Sequence, residues 1–296
     1  MKQTELRGEL RLSEAMSSHT SWRVGGPADQ WYKPADLDDL QVFLQQMNPQ
    51  ESIYWVGLGS NLLVRDGGIR GTVILPFGGL NTQANIGGNT LRLGAGVSCA
   101  KAARFCARAD LVGAEFLAGI PGTIGGALAM NAGAFGGEIW PLVESVEMIN
   151  SNAVLTRHDA ESFDVSYRTV TGYRDDEWFV SADLKLQSGD GQAALKRSKQ
   201  LLEQRGKTQP VSEPSCGSVF RNPETDHAAR LIESCGLKGE RIGGAQVSRM
   251  HANFIVNRGS ASANDIESLI TYVQKAVASE TGIQLKTEVK IIGERL

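Results

Sequence analysis

Val56-Gly57-Leu58-Gly59-Ser60-Asn61-Leu62-Leu63 follows a strand-like run, Ile53 to Val56, and sets two glycines on either side of one residue. Without Cβ atoms the chain can bring successive backbone N–H groups close to an anion, and Ser60 and Asn61 add side-chain donors. A Rossmann turn needs a third glycine three residues on and a helix that starts at once. Leu62 holds that position, and Leu62-Leu63-Val64-Arg65 continues as an apolar segment into Asp66-Gly67-Gly68. The simple doubly wound nicotinamide fold is therefore disfavoured. Gly94-Ala95-Gly96, with Cys99 in the place of the third glycine, fares no better. Taken singly, either segment also reads as an ordinary tight turn.

A third glycine cluster runs Ala118-Gly119-Ile120-Pro121-Gly122-Thr123-Ile124-Gly125-Gly126 and ends in Met130-Asn131-Ala132-Gly133-Ala134-Phe135-Gly136. Leu117 to Gly137 carries so much glycine and alanine that it predicts a compact loop rather than a regular helix, packed on something flat that need not be protein. Three such clusters within roughly eighty residues point to a chain that wraps a long, flat, diphosphate-containing ligand, which FAD would satisfy.

The 296 residues exceed what one small core organises, so more than one domain is expected. Hydrophobic residues at 41% and charged residues at 21% exclude disordered and fibrous classes. A formal net charge of -3, with no basic cluster alternating with aromatics, argues against nucleic acid as a partner. The N-terminal residues are charged and lack an apolar stretch, and the run from Phe116 to Met130 is broken by glycines and Pro121, so neither export nor a membrane span is expected. Four cysteines, at 99, 106, 216 and 235, form no Cys-x-x-Cys pair, and the histidines at 19, 158, 227 and 251 stand singly. That pattern writes no metal site and predicts reduced thiols in a cytoplasmic protein.

The periodicity predicts an amphipathic helix after Pro34, capped by Asp36, with Leu37, Leu40, Phe43, Leu44 and Met47 on one face. Strands are expected at Thr72 to Leu75 and Leu91 to Leu93, and a second helix from Ser98 to Ala109. A polar helix covers Ala193 to Arg205 and ends before Gln209-Pro210, after which a new domain begins. A short helix at Ala228 to Cys235 stops at Gly236. A long one, capped by Ser262, buries Ile266, Leu269, Ile270, Val273 and Val277 and ends at Gly282. The final segment alternates as a strand from Ile283 to Ile292, with Glu288 on its polar face between Lys286 and Lys290.

These motifs together resemble the UDP-N-acetylenolpyruvoylglucosamine reductase family. The resemblance runs through His19-Thr20-Ser21-Trp22-Arg23-Val24-Gly25-Gly26-Pro27-Ala28, Gly57-Leu58-Gly59-Ser60-Asn61, Leu117 to Gly126 and Ser166-Tyr167-Arg168. It continues through Gly217-Ser218-Val219-Phe220-Arg221-Asn222-Pro223, Ile242-Gly243-Gly244-Ala245-Gln246-Val247-Ser248, His251-Ala252-Asn253 and Thr287-Glu288-Val289. The first half alone would say only FAD-binding domain of the vanillyl-alcohol-oxidase/PCMH type; the second half makes the likeness specific, and the absence of an extra insertion matches the shorter subtype. Arg221 stands where the family more usually has lysine, and Cys216 where it has a small residue.

The resemblance implies an α+β fold: a two-part FAD-binding domain at residues 1–82 and 83–192, then a smaller substrate-binding domain at 193–296 whose last strand returns to the flavin site. It implies non-covalent FAD, NADPH as reductant, UDP-N-acetylglucosamine enolpyruvate as substrate and a monomer. In that reaction a hydride passes from the flavin to the terminal carbon of an enol ether, charge develops on the adjoining carboxylate, and a proton reaches the neighbouring carbon. Arg168 matches the orienter of the carboxylate, Ser218 the proton donor, and Glu288 the acidic partner that stabilises the enolate. Gly57, Gly59, Ser60, Asn61, Leu62, Gly119, Ile120, Pro121, Gly122, Thr123, Gly125 and Gly126 match the flavin-holding positions. Tyr167, Arg205, Asn222, Gln246 and His251 are candidates for the substrate.

Read without the family, Arg168 is a surface cation at a strand end. Ser218 is a turn serine, and Glu288 a solvated carboxylate supported by two lysines. His19, His158 and His227 read as surface histidines. Cys216, with its lower free pKa, is a rival proton donor on the other side of Gly217. Two other functions stay open: a flavin oxidase of a small alcohol that shares only the FAD half, and a nucleotide sensor that has lost catalysis.

Overall fold

A computed structural model describes residues 5–296. The chain forms two compact units, each assembled from separated segments. The first comprises the described residues up to Arg11, then Gln30–Leu58 and Gly71–Gln204; the second comprises Leu12–Asp29, Gly59–Arg70 and Arg205–Leu296. Helix and strand are mixed throughout, which is the α+β class the sequence predicts.

In the first unit five strands form an antiparallel sheet in the order Leu155–Asp159, Val143–Asn150, Glu177–Lys185, Thr90–Gly94, Gln83–Gly87. Its apolar face, including Leu91, Leu93, Val146, Met148, Ala182 and Leu184, packs with helices α2 (Cys99–Arg108) and α3 (Ile124–Leu128) in one core. The opposite face carries Asp183, only 3% exposed, bound by Arg92 at 2.7 Å and Arg157 at 2.7 Å. A second core gathers helix α1 (Leu37–Gln46) and the parallel pair Ile53–Trp55 with Thr72–Ile74. Asp36 caps α1 by accepting the Asp39 N–H at 3.0 Å. Asp39, in the capping-box position, turns elsewhere: its buried carboxylate accepts from Tyr32 and from the Arg7 and Ala35 N–H groups. Helix α4, read as Ala193 to Arg205, runs from Gly191 to Thr208.

In the second unit the antiparallel strands Arg241–Ile242, Ala245–Val247 and Ile255–Asn257 lie against helices α5 (Ala228–Ser234) and α6 (Ala263–Thr281). Helix α6 begins in a reciprocal capping box between Ser262 and Asp265, and ends where Gly282 turns left-handed at φ 73°. Its buried stripe is the one its spacing predicts, Ile266, Leu269, Ile270, Val273 and Val277, each stabilising by roughly 1.5–3 kcal/mol. Asp66, from the Asp66-Gly67-Gly68 turn, adds a second cap by accepting from the Ala263 and Asn264 N–H groups, both at 2.9 Å. Trp22 is fully buried in this core and donates its indole N–H to the Ile255 carbonyl at 2.7 Å.

Two expectations are corrected. The alternating run from Ile283 to Ile292 is strand only over Lys290–Ile292, which pairs in parallel with Leu62–Val64, plus a single bridge from Thr287 to Phe220. Alternation reports which residues face the core, here Leu285 and Val289, but a ladder also needs a partner of equal length. Leu117 to Gly137 is not all loop: Glu115–Gly119 is a 3-10 turn, and Thr123 caps α3 by accepting the Gly126 N–H at 3.3 Å. Two of its glycines pack against protein. A Cβ at Gly125 would lie 2.9 Å from the Ala95 Cβ, and one at Gly119 would lie 2.4 Å from the Phe135 ring.

Candidate active site

In the first unit the Gly119–Gly126 cluster is laid along Ala95–Cys99 by three main-chain bonds: Ile124 N–H to Val97 at 2.8 Å, Gly125 N–H to Ala95 at 3.0 Å, and Cys99 N–H to Gly122 at 2.9 Å. Those bonds fix the loop, while Pro121 and Gly126 stay exposed and Ile120 and Gly122 half-buried. Gly57 lies against the same loop, since a Cβ there would sit 2.7 Å from Thr123 Oγ1. Among the described residues the N–H groups of Gly57 and Leu58 have no acceptor. A glycine-lined segment with uncommitted main-chain donors is the donor set a diphosphate takes, so these residues fit the FAD that the sequence implies.

Arg168 also belongs to this unit. Asp164–Ser166 pairs antiparallel with Thr169–Thr171, leaving Tyr167 and Arg168 as the connecting turn. Arg168 takes φ 56°, a left-handed conformation that is costly for a side chain with a Cβ and concentrates at functional sites. Its guanidinium donates to the Asn131 carbonyl at 3.2 Å and the Gly133 carbonyl at 3.0 Å, and lies over the exposed Tyr167 ring at 5.0 Å. This half-buried, main-chain-anchored cation is not the surface arginine that its place at a strand end suggests.

In the second unit the motif continues with Gly59, whose φ of 61° and a Cβ position 2.0 Å from the His19 carbonyl leave no room for a side chain. Ser60 is half-buried and Leu62 opens the strand Leu62–Val64. Asn61, expected as an anion donor, gives its amide N–H to the Glu288 carbonyl at 3.1 Å, and its own carbonyl accepts from Lys290 at 3.1 Å. Ser218 sits between two anchors. On one side Cys216 donates its thiol to the Leu62 carbonyl at 3.3 Å; on the other, Val219 and Phe220 bond to Asn253 at 2.8 and 2.9 Å. The Glu288 N–H then donates to the Val219 carbonyl at 2.8 Å, so the segments carrying Ser218 and Glu288 are joined main chain to main chain. Glu288 is half-buried while Lys286 and Lys290 on either side are exposed, which separates it from them.

Cys216 is buried with its thiol given to the Leu62 carbonyl, and burial pushes that thiol up to about 12, so the low free pKa that made it a rival donor is not kept in the fold. Asn253 had no role assigned from the sequence. Its position two residues after His251 is the available signal, because a buried asparagine needs partners on both sides of its amide.

The substrate candidates are spread over both units. Asn222 is exposed and accepts from the Ala228 N–H at 3.0 Å, and Arg205 donates to Gln209 at 2.9 Å. Gln246 is buried and gives its amide to the Gly239 carbonyl at 2.9 Å, on the wall of a cavity of about 600 Å³ that also takes in Arg241, Arg249 and Arg258. His251 is held below its ordinary value by burial and then by the Lys238 ammonium, which keeps the ring neutral near pH 7. Of the three histidines read as surface residues only His227 is exposed; His19 pairs with Glu14 at 2.8 Å and His158 with Thr156 at 3.0 Å, both half-buried.

Among the described residues no helix is long and apolar enough to cross a membrane. Residues 28–158 match the model of an FAD binding domain, and residues 209–292 match that of the C-terminal domain of UDP-N-acetylenolpyruvoylglucosamine reductase. The chain is 57% identical over 288 residues to the UDP-N-acetylenolpyruvoylglucosamine reductase of Methylococcus capsulatus, covering 97% of this chain and 94% of that protein. It is 54% identical to the enzyme of that name from Legionella pneumophila strain Corby, covering 98% and 94%. The crystal structure of the Thermus caldophilus reductase superposes with a TM-score of 0.82 at 32% identity, over 97% of this chain and 99% of that one. Likeness at this level over nearly the whole length places the chain in the UDP-N-acetylenolpyruvoylglucosamine reductase family.

Proposed function

We propose that the chain reduces the enolpyruvyl double bond of UDP-N-acetylglucosamine enolpyruvate to the lactyl ether of UDP-N-acetylmuramate, with FAD as cofactor and NADPH as reductant, acting as a cytoplasmic monomer in peptidoglycan precursor synthesis. FAD, when bound, supplies the hydride that the terminal carbon of the enol ether takes up. Residues Gly57 to Leu62 and Gly119 to Gly126 hold that cofactor, and residues 193–296 supply the substrate-binding part.

The observation that carries the reading is the main-chain bond from the Glu288 N–H to the Val219 carbonyl, which joins the segment carrying Glu288 to the one carrying Ser218. Ser218 delivers the proton to the carbon beside the carboxylate, and Glu288, acting as a carboxylic acid, donates a hydrogen bond to the enolate oxygen as negative charge builds. Arg168, with its guanidinium held by two carbonyls, orients the substrate carboxylate by charge-assisted hydrogen bonds. Tyr167, Arg205, Asn222, Gln246 and His251 contact the nucleotide-sugar part, whose binding energy holds the double bond in place.

An anaerobic titration tests this. The purified protein is expected to be yellow, to bleach with NADPH, and to recolour only when UDP-N-acetylglucosamine enolpyruvate is added, with a product two hydrogens heavier than that substrate. Recolouring without a reduced product, or none at all on addition of that substrate, overturns the proposal.

A further inference from the structure

Asn131 stands at the centre of the bonds around Arg168. It is 1% exposed, follows α3, and holds a left-handed φ of 45°, which asparagine tolerates better than other side chains. Its amide nitrogen donates to Glu138 Oε2 at 2.9 Å and to the Ser166 carbonyl at 3.2 Å, and its Oδ1 accepts the Trp140 N–H at 3.4 Å. Glu138 belongs to the hairpin Gly133–Ala134 with Gly137–Glu138, and Ser166 ends the strand that turns through Tyr167 and Arg168. One buried amide therefore ties two hairpins together. Its own carbonyl and that of Gly133 receive the two nitrogens of the Arg168 guanidinium. Gly133 completes the fit, since a Cβ there would lie 3.3 Å from Arg168 Nη1 and 2.5 Å from the Gly137 carbonyl.

We infer that Asn131 is a positioning residue for Arg168: it sets the separation of the two hairpins, and so the place and plane of the guanidinium. This rests on the reading of Arg168 as the group that orients the substrate carboxylate. Two main-chain carbonyls held in place by the hairpins set the plane of the rigid guanidinium fork. A shift of about 1 Å in a positioned group is worth up to a hundredfold in rate.

The test is a double-mutant cycle on the flavin-loaded enzyme with Asn131→Gly and Arg168→Ala. Glycine keeps the left-handed backbone and removes only the amide. Asn131→Gly is expected to keep full flavin content and the wild-type rate of bleaching by NADPH, while kcat/KM for UDP-N-acetylglucosamine enolpyruvate falls about tenfold or more. In the Arg168→Ala background the same change should have no further effect, because the group it positions is gone. Affinity for the product UDP-N-acetylmuramate, measured by calorimetry, should fall in both single variants. Normal turnover in Arg168→Ala sinks the reading of Arg168, and the inference with it. Impaired Arg168→Ala beside a normal Asn131→Gly, or losses that simply multiply in the double variant, overturns the role of Asn131 alone. Asn131→Asp serves as the isosteric control should Asn131→Gly lose flavin; an aspartate with wild-type kcat/KM would likewise overturn it, since it cannot donate to Glu138 or Ser166.

Discussion

The side-chain amide of Asn61 donates to the main-chain carbonyl of Glu288 at 3.1 Å, joining positions 227 apart in the chain. Together with the parallel pairing of Lys290–Ile292 to Leu62–Val64, it brings the C-terminal segment back to the end of the Gly57–Leu63 motif. Removing the amide leaves a half-buried carbonyl short of a partner at a cost of about 1–2 kcal/mol. Asn61→Ala is therefore expected to lower the melting temperature by a few degrees and to reduce turnover more than it reduces flavin content. Parallel thermal melts and assays check this; unchanged turnover at full flavin content would detach Asn61 from the placement of Glu288.

Gly57→Val tests the cofactor cradle. Its first side-chain carbon would meet Thr123 Oγ1 at 2.7 Å and cover the N–H groups of Gly57 and Leu58. Folded protein with little or no flavin absorbance is expected, and stoichiometric FAD in the variant would remove this segment from the site.

Thiol chemistry tests the protonation of Cys216. Burial pushes Cys99, Cys106 and Cys216 each up to about 12, so at pH 8 only about one in ten thousand of each is thiolate. These pKa values are raised, so the thiols keep their protons at every pH below that range. Cys235 is partly exposed. A disulfide reagent at pH 8 should consume one thiol rapidly in the native protein and all four once it is unfolded, and Cys216→Ala should keep most of its turnover. Rapid loss of a second thiol together with activity would return Cys216 to consideration as the donor.

The fold is legible in the sequence where a local rule and the tertiary environment agree. Helix α6 is an example: cap, buried stripe and terminal glycine all lie within its own segment. The strand Glu177–Lys185 is not legible in the sequence because Asp183 interrupts its apolar run, and the two arginines that make that carboxylate tolerable come from neighbouring strands. Glu288 looked solvated because Lys286 and Lys290 flank it; the bonds from Asn61 and to Val219 that set it apart come from distant parts of the chain. Asn131 illustrates the same limit, since its importance lies in joining hairpins that no spacing rule relates. The glycine clusters point to a ligand, yet Gly119 and Gly125 also serve packing against Phe135 and Ala95, which composition alone does not distinguish.

Ser218→Ala separates the two half-reactions. Bleaching of the flavin by NADPH should stay near the wild-type rate, while reduction of the enolpyruvyl substrate falls by about a hundredfold or more, the usual scale for a positioned acid. Stopped-flow absorbance follows both steps. Equal losses would make the serine a support for the cofactor rather than the source of the proton.

The most direct measurement is the same pair of half-reactions in Glu288→Gln at full flavin content. A solvated carboxylate flanked by two lysines is worth under about 1 kcal/mol, and its loss would change neither step appreciably. On the proposed mechanism Glu288, whose segment is joined main chain to main chain with that of Ser218, acts on the developing enolate instead. The account predicts flavin reduction by NADPH within about twofold of wild type and reoxidation by UDP-N-acetylglucosamine enolpyruvate slowed by at least about a hundredfold. Near-normal reoxidation in Glu288→Gln would contradict it.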